Sequence, residues 1–396
     1  MASPAIIWPL GDALSDANGL TLDGQSVAAL AHIHGTPLYL YSAAAIKRRL
    51  AELQAALAQT GAAHRIHYAM KANRFEPLLK VMHEQGVQID ACSPREVELA
   101  LRLGWRKEQV SVTAGMLSNN DLVWLANAGV HLNLDTFSAL RRYSPLVRHD
   151  TSVGLRIDPG IKAGWGGEDR LAYGNAKFGF DASQVAEALE FAHTQDLNVD
   201  TLHVHVGWGL QQSAAPLLAQ VYARMAAWAQ AFPSVRTLNV GGGLCAKQRP
   251  EDDPLSLQTW SDLLREHLAA TGCEIACEPG TFLTATAGLL VCEVNTVERR
   301  PHANWIGINA GHNVNVYPGQ YGIPLALIPV AQPLAAANHK FNVAGNINEA
   351  TDVWASDAAL PMLQERDLLA LYPVGAYGSS MASDHCMRGW AKEVMI

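Results

Sequence analysis

The chain has 396 residues, of which 49% are hydrophobic and 17% are charged, and its formal net charge is −8. This length supports a large core in one big domain plus a smaller one, or in two domains. The net negative charge and the lack of a basic patch interleaved with aromatic residues argue against nucleic acid as a partner. The sequence has no run of about 18 apolar residues, so we expect no membrane span.

The N-terminal residues 1–16 carry no positively charged segment followed by an apolar one, so we expect no signal peptide. Six cysteines are scattered without the spacing of a zinc site, and so long a chain needs no disulfide framework. They are Cys92, Cys245, Cys273, Cys277, Cys292 and Cys386. We therefore expect a soluble cytoplasmic protein with reduced thiols, no bound metal and no membrane partner.

The first long pattern along the chain is a helix over 42–61. Ser42 is a suitable N-cap and Gly61 a suitable stop. A single apolar stripe runs between them, formed by Ile46, Leu50, Leu53 and Leu57.

Short apolar runs then alternate with helical patterns as far as residue 285. The strand-like runs are RIHYAMK, VQIDACS, QVSVTAG, HLNLDTF, SVGLRID, LHVHVGW, TLNVGGG and EIACEPG. Strict alternation of strands and helices predicts a parallel sheet, and roughly eight units over about 250 residues favour a (β/α)8 barrel over 37–285. A doubly wound open sheet is the alternative, but the chain lacks a GxGxxG motif after an early strand.

The pattern changes after residue 285. Runs such as LLVCEVNTVERR, NWIGINAG, HKFNVAGNI and DLLALYPVGAYG are typical of strands separated by turns. Together with the segment ANGLTLDGQSV near the N-terminus, they predict a β-rich second domain built from 1–36 and 286–396.

Several polar residues follow directly after predicted barrel strands. Lys71 ends the run HYAMK and would be an ordinary surface charge on its own. Residues at the carboxyl ends of barrel strands face one mouth, where barrel enzymes bind their ligands. The residues placed there are Lys71, Asp90, Arg156, His205, Gly241, Gly242, Gly243 and Glu278.

These residue types suggest one cofactor. A lysine in a pocket of low polarity has a lowered pKa and can form a Schiff base. Glycines after the seventh strand let backbone N–H groups approach a phosphate, and Glu278 could pair with a protonated ring nitrogen on which His205 stacks. Together they describe a site for pyridoxal 5′-phosphate. Taken singly, each has a structural explanation, such as an ion pair between Asp90 and Arg156.

The motifs YAMKAN, HVHVG, NVGGG, CEPG and GAYG resemble, in this order, those of the fold-type III pyridoxal-phosphate decarboxylases. The resemblance spans nearly the whole chain and is strongest to diaminopimelate decarboxylases, followed by ornithine and siderophore-pathway enzymes. It implies an α/β barrel joined to a β-sandwich-like domain. It also implies a homodimer whose active sites lie between the barrel of one subunit and the β domain of the other.

The resemblance also implies roles for individual residues. Lys71 would hold the cofactor, His205 would stack on its ring, and Glu278 would bind the ring nitrogen. The triple glycine and Tyr377 would bind the phosphate. Glu349 and Asp352, in GNINEATD, fall where the family has an acidic motif that reaches the partner's site.

The chain departs from this family where the substrate would bind. Thr281 and Tyr317 stand where diaminopimelate enzymes carry two arginines, whereas Tyr321 is kept. The two arginines are implied to grip the distal carboxylate of diaminopimelate, and neither threonine nor tyrosine supplies such a clamp. The family cysteine falls at Asn348, which cannot titrate, and Trp208 replaces a small residue. We therefore expect meso-diaminopimelate to be a poor substrate.

The sequence thus predicts a decarboxylase that removes the α-carboxylate of an amino acid or amino-acid conjugate, in specialised metabolism such as siderophore synthesis. Three alternatives stay open. They are a divergent diaminopimelate decarboxylase, an amino-acid racemase on a related barrel, and a non-catalytic homologue that binds the cofactor.

Overall fold

A computed structural model of the protein describes residues 10, 13–161, 163–165, 176–248 and 251–396. Eight parallel strands form a closed barrel, because the eighth strand pairs with the first and the fourth with the fifth. The strands are His64–Ala69, Gln88–Ala91, Val110–Thr113, His131–Leu134, Thr151–Asp158, Leu197–Val204, Thr237–Asn239 and Glu274–Cys277. The prediction of a barrel is confirmed, and the open doubly wound sheet is wrong.

Seven helices alternate with these strands. They are Glu76–Glu84, Pro94–Arg102, Asn119–Ala128, Phe137–Tyr143, Val185–Thr194, Ala215–Ala231 and Leu257–His267. The eighth strand is followed only by the short helix Thr281–Thr284. The helix Ala43–Ala58, which precedes the barrel in sequence, packs against both Leu257–His267 and Thr281–Thr284 and so closes the outer ring.

The predicted first helix is confirmed, although it ends at Ala58 with Gln59 as its C-cap, before Gly61. The Ser42 hydroxyl accepts a hydrogen bond from the Ala45 N–H at 2.9 Å, as an N-cap does. The predicted apolar stripe is buried against the barrel, and Gly61 follows the helix with φ +72°.

The second domain is mostly sheet. Its strands are Gly288–Arg300, Ala303–Ile308, Ala326–Pro329, His339–Ala344, Val353–Leu360, Leu368–Tyr372 and Lys392–Met395. The strand Leu38–Tyr41 pairs antiparallel with Gly288–Val291 in this sheet. The sheet therefore takes in residues up to Tyr41, beyond the predicted boundary at residue 37.

The N-terminal segment packs on the sheet without joining it. Thr21–Leu22 and Gln25–Ser26 form a hairpin of their own, followed by the helix Val27–His34. Leu20 and Val27 are buried against strands of the second domain. Residues 1–9, 11 and 12, which the prediction assigned to this domain, lie outside the described residues.

A loop of the second domain holds the turn that follows the first barrel strand. The Asn73 side-chain amide donates to the Gly375 carbonyl at 3.0 Å, and the Tyr377 N–H donates to the Ala72 carbonyl at 2.7 Å. The Tyr68 hydroxyl, on the first barrel strand, donates to the Asn73 carbonyl at 2.9 Å. These bonds explain the polar residues after the apolar run, because each fixes the turn that carries Lys71.

Within the part of the chain that the structure describes, no helix is long and apolar enough to cross a membrane. The same residues contain no cluster of three or more histidine, cysteine or acidic side chains placed to hold a metal ion. All six cysteines are free thiols.

Candidate active site

A cavity of about 680 Å³ opens at the carboxyl end of the barrel strands. It is lined by residues from the barrel and from the second domain. The predicted site residues that line it are Lys71, Arg156, His205, Trp208, Gly242, Gly243, Glu278, Thr281, Tyr317, Tyr321 and Tyr377. The convergence expected from barrel geometry is thus present for most of the predicted positions.

Lys71 lies in the short turn Met70–Ala72, immediately after the first barrel strand. Its Nζ lies 3.7 Å from Oδ2 of Asp90, which is fully buried at the end of the second strand. Burial alone would lower the pKa of Lys71, but the acidic groups around it, including Asp90 and Glu278, raise the pKa above its usual value. The direction of this shift is opposite to the lowering expected from the sequence.

Asp90 is paired with Lys71 rather than with Arg156. Neither carboxylate oxygen of Asp90 has a hydrogen-bond partner among the described residues. Burial, followed by repulsion from Glu278, raises the pKa of Asp90. The Arg156 guanidinium instead lies over the ring of Phe178, with its carbon 4.3 Å from the ring centre.

Glu278 follows the eighth strand and is held by three neighbours. Its Oε2 lies 2.9 Å from Nε2 of His203, and its Oε1 accepts from the Asn239 amide at 2.8 Å and from the Thr113 hydroxyl at 3.3 Å. Burial alone would raise the pKa of Glu278, but His203 and Lys71 outweigh burial and lower it well below its usual range. The carboxylate is therefore anionic at neutral pH.

His203 is a site residue that the sequence analysis missed. It lies inside the sixth strand, where its side chain is buried, and burial lowers its pKa despite the nearby Glu278. The available signal was the pair of histidines in HVHVG, because residues two apart on a strand face the same side. Asn239 and Thr113 were missed as well, because residues inside strands usually belong to the hydrophobic core.

The triple glycine lies against His205. The Gly242 N–H donates to Nδ1 of His205 at 3.1 Å. A Cβ atom on Gly242 would fall 2.5 Å from the Glu278 carbonyl oxygen, and Gly241 has φ +69°, so neither position accepts a larger residue without movement. Burial, followed by the charge of Arg156, lowers the pKa of His205, which is therefore neutral.

The second domain contributes three tyrosines to the cavity. Tyr317 and Tyr321 lie on the short helix Tyr317–Tyr321, with ring centres 5.0 Å apart. Tyr377 stacks on Tyr317 at 5.2 Å and has φ +60°, held by its N–H bond to Ala72. Thr281 begins the short helix after Gly280 and lines the same space.

Asn348, Glu349 and Asp352 do not line this cavity within one chain. Asp352 is buried and binds its own loop, because Oδ1 accepts from the His312 N–H at 2.8 Å and Oδ2 from the Ile347 N–H at 2.7 Å. Asn348 and Glu349 are exposed, and Oε1 of Glu349 lies 3.2 Å from Nε2 of His385.

The cavity fits pyridoxal 5′-phosphate on its own features. Lys71 offers an amine at the mouth, and Glu278 offers a buried anion for a protonated ring nitrogen. The glycines offer a close backbone approach for a phosphate. Asp90, with unused hydrogen-bond capacity beside Lys71, adds a second buried acceptor.

A buried histidine beneath the site makes stability sensitive to acid. His67 lies within the first strand, and burial lowers its pKa to about 4. His67 binds a proton near pH 6.5 in the unfolded chain but only near pH 4 in the folded chain. The free energy of unfolding therefore falls as the pH falls through this window, by up to about 3 kcal/mol. We expect His67→Gln to flatten the pH dependence of the free energy of unfolding between pH 7 and 5, as measured by urea denaturation.

His64 provides the control for this prediction, because it begins the same strand but is exposed. His64→Gln should leave the slope with pH as it is in the unmodified protein. Equal slopes for His67→Gln and the unmodified protein would show that His67 takes up its proton in the folded state.

Comparisons with known proteins agree with this geometry. Residues 43–285 match the family described as pyridoxal-dependent decarboxylase, pyridoxal binding domain. The diaminopimelate decarboxylase of Methanothermobacter thermautotrophicus is 28% identical over 393 residues, which cover 97% of this chain and 92% of that protein. The diaminopimelate decarboxylase of Pseudomonas aeruginosa is 29% identical, with 95% and 91% covered.

Solved structures show the same fold. The protein AQ1208 from Aquifex aeolicus superposes with a TM-score of 0.85 at 26% identity, covering 96% of this chain and 90% of that one. The diaminopimelate decarboxylase of Helicobacter pylori, complexed with L-lysine, superposes with a TM-score of 0.84 at 24% identity, with 93% of each chain covered. With the family match covering more than half of the sequence, this chain belongs to the pyridoxal-dependent decarboxylases and is a carboxy-lyase that uses pyridoxal phosphate.

Proposed function

We propose that this chain removes the α-carboxylate of an α,ω-diamino acid, with meso-diaminopimelate as the leading candidate. The presence of Lys71 and the buried anion Glu278 in one cavity carries the proposal, because the amine would hold the cofactor and the anion would keep a proton on its ring nitrogen. The relatives from Methanothermobacter thermautotrophicus and Pseudomonas aeruginosa are diaminopimelate decarboxylases, and this supports a diamino acid over a siderophore precursor. Neither relative supports the interpretation of this chain as an enzyme of siderophore synthesis.

The cofactor, when bound, supplies an electron sink for the charge left when carbon dioxide departs. The residues of this chain do the rest. Lys71 would hold the cofactor covalently and carry the proton that its acidic neighbours favour. Glu278, fixed by His203 and Asn239, would keep a proton on the ring nitrogen. Gly241–Gly243, Tyr377 and Arg156 would hold the phosphate end, and His205 would lie against the ring.

A second candidate substrate is a diamino acid without a distal carboxylate, such as lysine or ornithine. Thr281 and Tyr317 favour it, because they line the cavity in place of two arginines that would bind a second carboxylate. The racemase and the non-catalytic homologue find no support in the relatives, which are named decarboxylases.

We also propose a homodimer with shared active sites. Glu349 and Asn348 are exposed in the single chain and do not reach its own cavity. A partner subunit whose β domain covers the cavity would give them a role. A cytoplasmic location stays a prediction.

The function is tested by following carbon dioxide release from meso-diaminopimelate, L-lysine and L-ornithine. We expect turnover of at least one at kcat/KM of about 10⁴ M⁻¹s⁻¹ or above. If kcat/KM for meso-diaminopimelate is at least about a hundredfold below that for the best substrate, the second candidate is favoured. Inversion at Cα without carbon dioxide release would show a racemase, and release from none of the three would refute the proposal.

A further inference from the structure

Four aromatic rings stand in a row beside the cavity. We call Trp165, Trp208, Tyr321 and Tyr317 the aromatic wall. Successive ring centres are 5.3 Å apart from Trp165 to Trp208, 5.3 Å from Trp208 to Tyr321, and 5.0 Å from Tyr321 to Tyr317. The first two rings belong to the barrel and the last two to the second domain, so the wall crosses the boundary between them.

The barrel half of the wall is held by backbone pairing. Gly207–Trp208 pairs in parallel with Ala163–Gly164, and the Trp165 N–H donates to the Trp208 carbonyl at 2.9 Å. Gly209, with φ +65°, follows Trp208, and a Cβ atom there would fall 2.2 Å from the Trp165 ring. A larger residue in place of Gly209 would therefore collide with the indole of Trp165.

A buried carboxylate fixes the outer ring of the wall. The indole Nε1–H of Trp165 donates to Oδ1 of Asp252 at 2.9 Å, and Oδ2 of Asp252 accepts from the Gln248 N–H at 2.9 Å. Asp252 is buried, so both bonds are shielded from water. Trp165 in turn packs edge-on against Trp208, so the loop after the seventh strand positions a ring of the cavity.

The inner part of the wall lines the cavity. Trp208, Tyr321 and Tyr317 line the cavity, and Thr281 lines it as well. Trp208 follows the sixth strand and Lys71 the first, so three strand steps around the barrel separate them. A substrate whose α-amine lies at Lys71 would extend its far end across the mouth toward the wall.

Ring faces carry partial negative charge, so they attract ammonium groups and give no charged partner to a carboxylate. We propose that Trp208, together with Tyr321 and Tyr317, binds the ω-ammonium of the substrate, so that this chain selects diamino acids by their distal cation and not by a second carboxylate. Asp252 is the positioning residue, acting through Trp165. This inference rests on the proposed function, since it assumes that an amino acid occupies the cavity.

Three ligands separate the distal groups. L-Norleucine has the chain length of L-lysine without the ω-ammonium, and meso-diaminopimelate adds a carboxylate beside that ammonium. Stopped-flow absorbance of the bound cofactor in the holoenzyme gives an apparent Kd for each ligand before turnover. We expect lysine to bind at least about tenfold tighter than norleucine, and meso-diaminopimelate to bind within about tenfold of lysine.

Two pairs of variants test the residues. Trp208→Leu should bring lysine and norleucine to within about threefold of each other by weakening lysine, while Trp208→Phe should keep most of the preference. Asp252→Leu should raise the Kd and KM for lysine more than for norleucine, with a smaller effect on kcat, and Asp252→Asn should restore the preference because it keeps an acceptor for Trp165. A merely structural role for Asp252 would affect both ligands alike.

The outcomes separate this inference from the proposed function. Norleucine binding within about twofold of lysine in the unmodified protein, or meso-diaminopimelate binding more than about a hundredfold tighter, would overturn the inference even if carbon dioxide is released. Binding that follows the ω-ammonium without any carbon dioxide release would leave the inference standing and refute the decarboxylase substrate proposal.

Discussion

Lys71→Ala should abolish turnover, with a fall in kcat of at least about a thousandfold. Lys71 is the cavity-lining lysine that follows directly after a barrel strand, and its turn is fixed by the bonds of Asn73 and Tyr377. The variant should still bind some cofactor without a covalent bond, because the glycines and Tyr377 are untouched. Borohydride reduction of the unmodified protein should fix the cofactor on the peptide that contains Lys71.

Lys177 is the matched control, since it lines the same cavity but lies beside Phe178 and not directly after a barrel strand. Lys177→Ala should keep covalent labelling and turnover within a few-fold of the unmodified protein. Label on the Lys177 peptide, or an active Lys71→Ala, would remove the basis of the whole site assignment.

The barrel could be predicted because its signal is local and repeated. Each strand is a short apolar run and each helix has its own stripe or cap, as Ser42 shows. The strand Leu38–Tyr41 could not be assigned in this way, because four apolar residues say nothing about a partner some 250 positions later in the chain. Pairing between distant segments depends on the closed structure, which the local pattern does not contain.

The site could be predicted where a residue type departs from its surroundings, as Lys71 and Glu278 do at strand ends. The contact of His203 with Glu278 could not be predicted, although HVHVG indicates that His203 and His205 share a face, because it joins two strands that are not neighbours in sequence. The role of Asp352 in a partner's site stays a prediction. A motif placed it near a partner's site, whereas in the single chain it binds the backbone of its own loop. The support of Trp208 by Asp252 could not be predicted from the sequence either, because it passes through Trp165.

Mixing two inactive variants, Lys71→Ala and Glu349→Ala, should restore activity to about a quarter of that of the unmodified protein. If each active site takes Lys71 from one subunit and Glu349 from the other, a heterodimer has one site with both changes and one with neither. Random exchange makes about half of the dimers mixed, and each mixed dimer has one intact site of two. Glu349 is the better probe than Asp352, because its exposed contact with His385 contributes little to stability, whereas Asp352 holds a buried loop.

The matched control mixes Lys71→Ala with Glu278→Gln, two changes in the same barrel. Here every site of a heterodimer keeps one defect, so no recovery is expected, even when subunit exchange is shown by mass spectrometry of differently labelled chains. Recovery in this control would mean that activity returns by some route other than sharing. Two outcomes would contradict shared sites: full activity of Glu349→Ala alone, or no recovery in the first mixture with heterodimers present. Either would show that each chain completes its own site and that the exposed Glu349 has no role in catalysis.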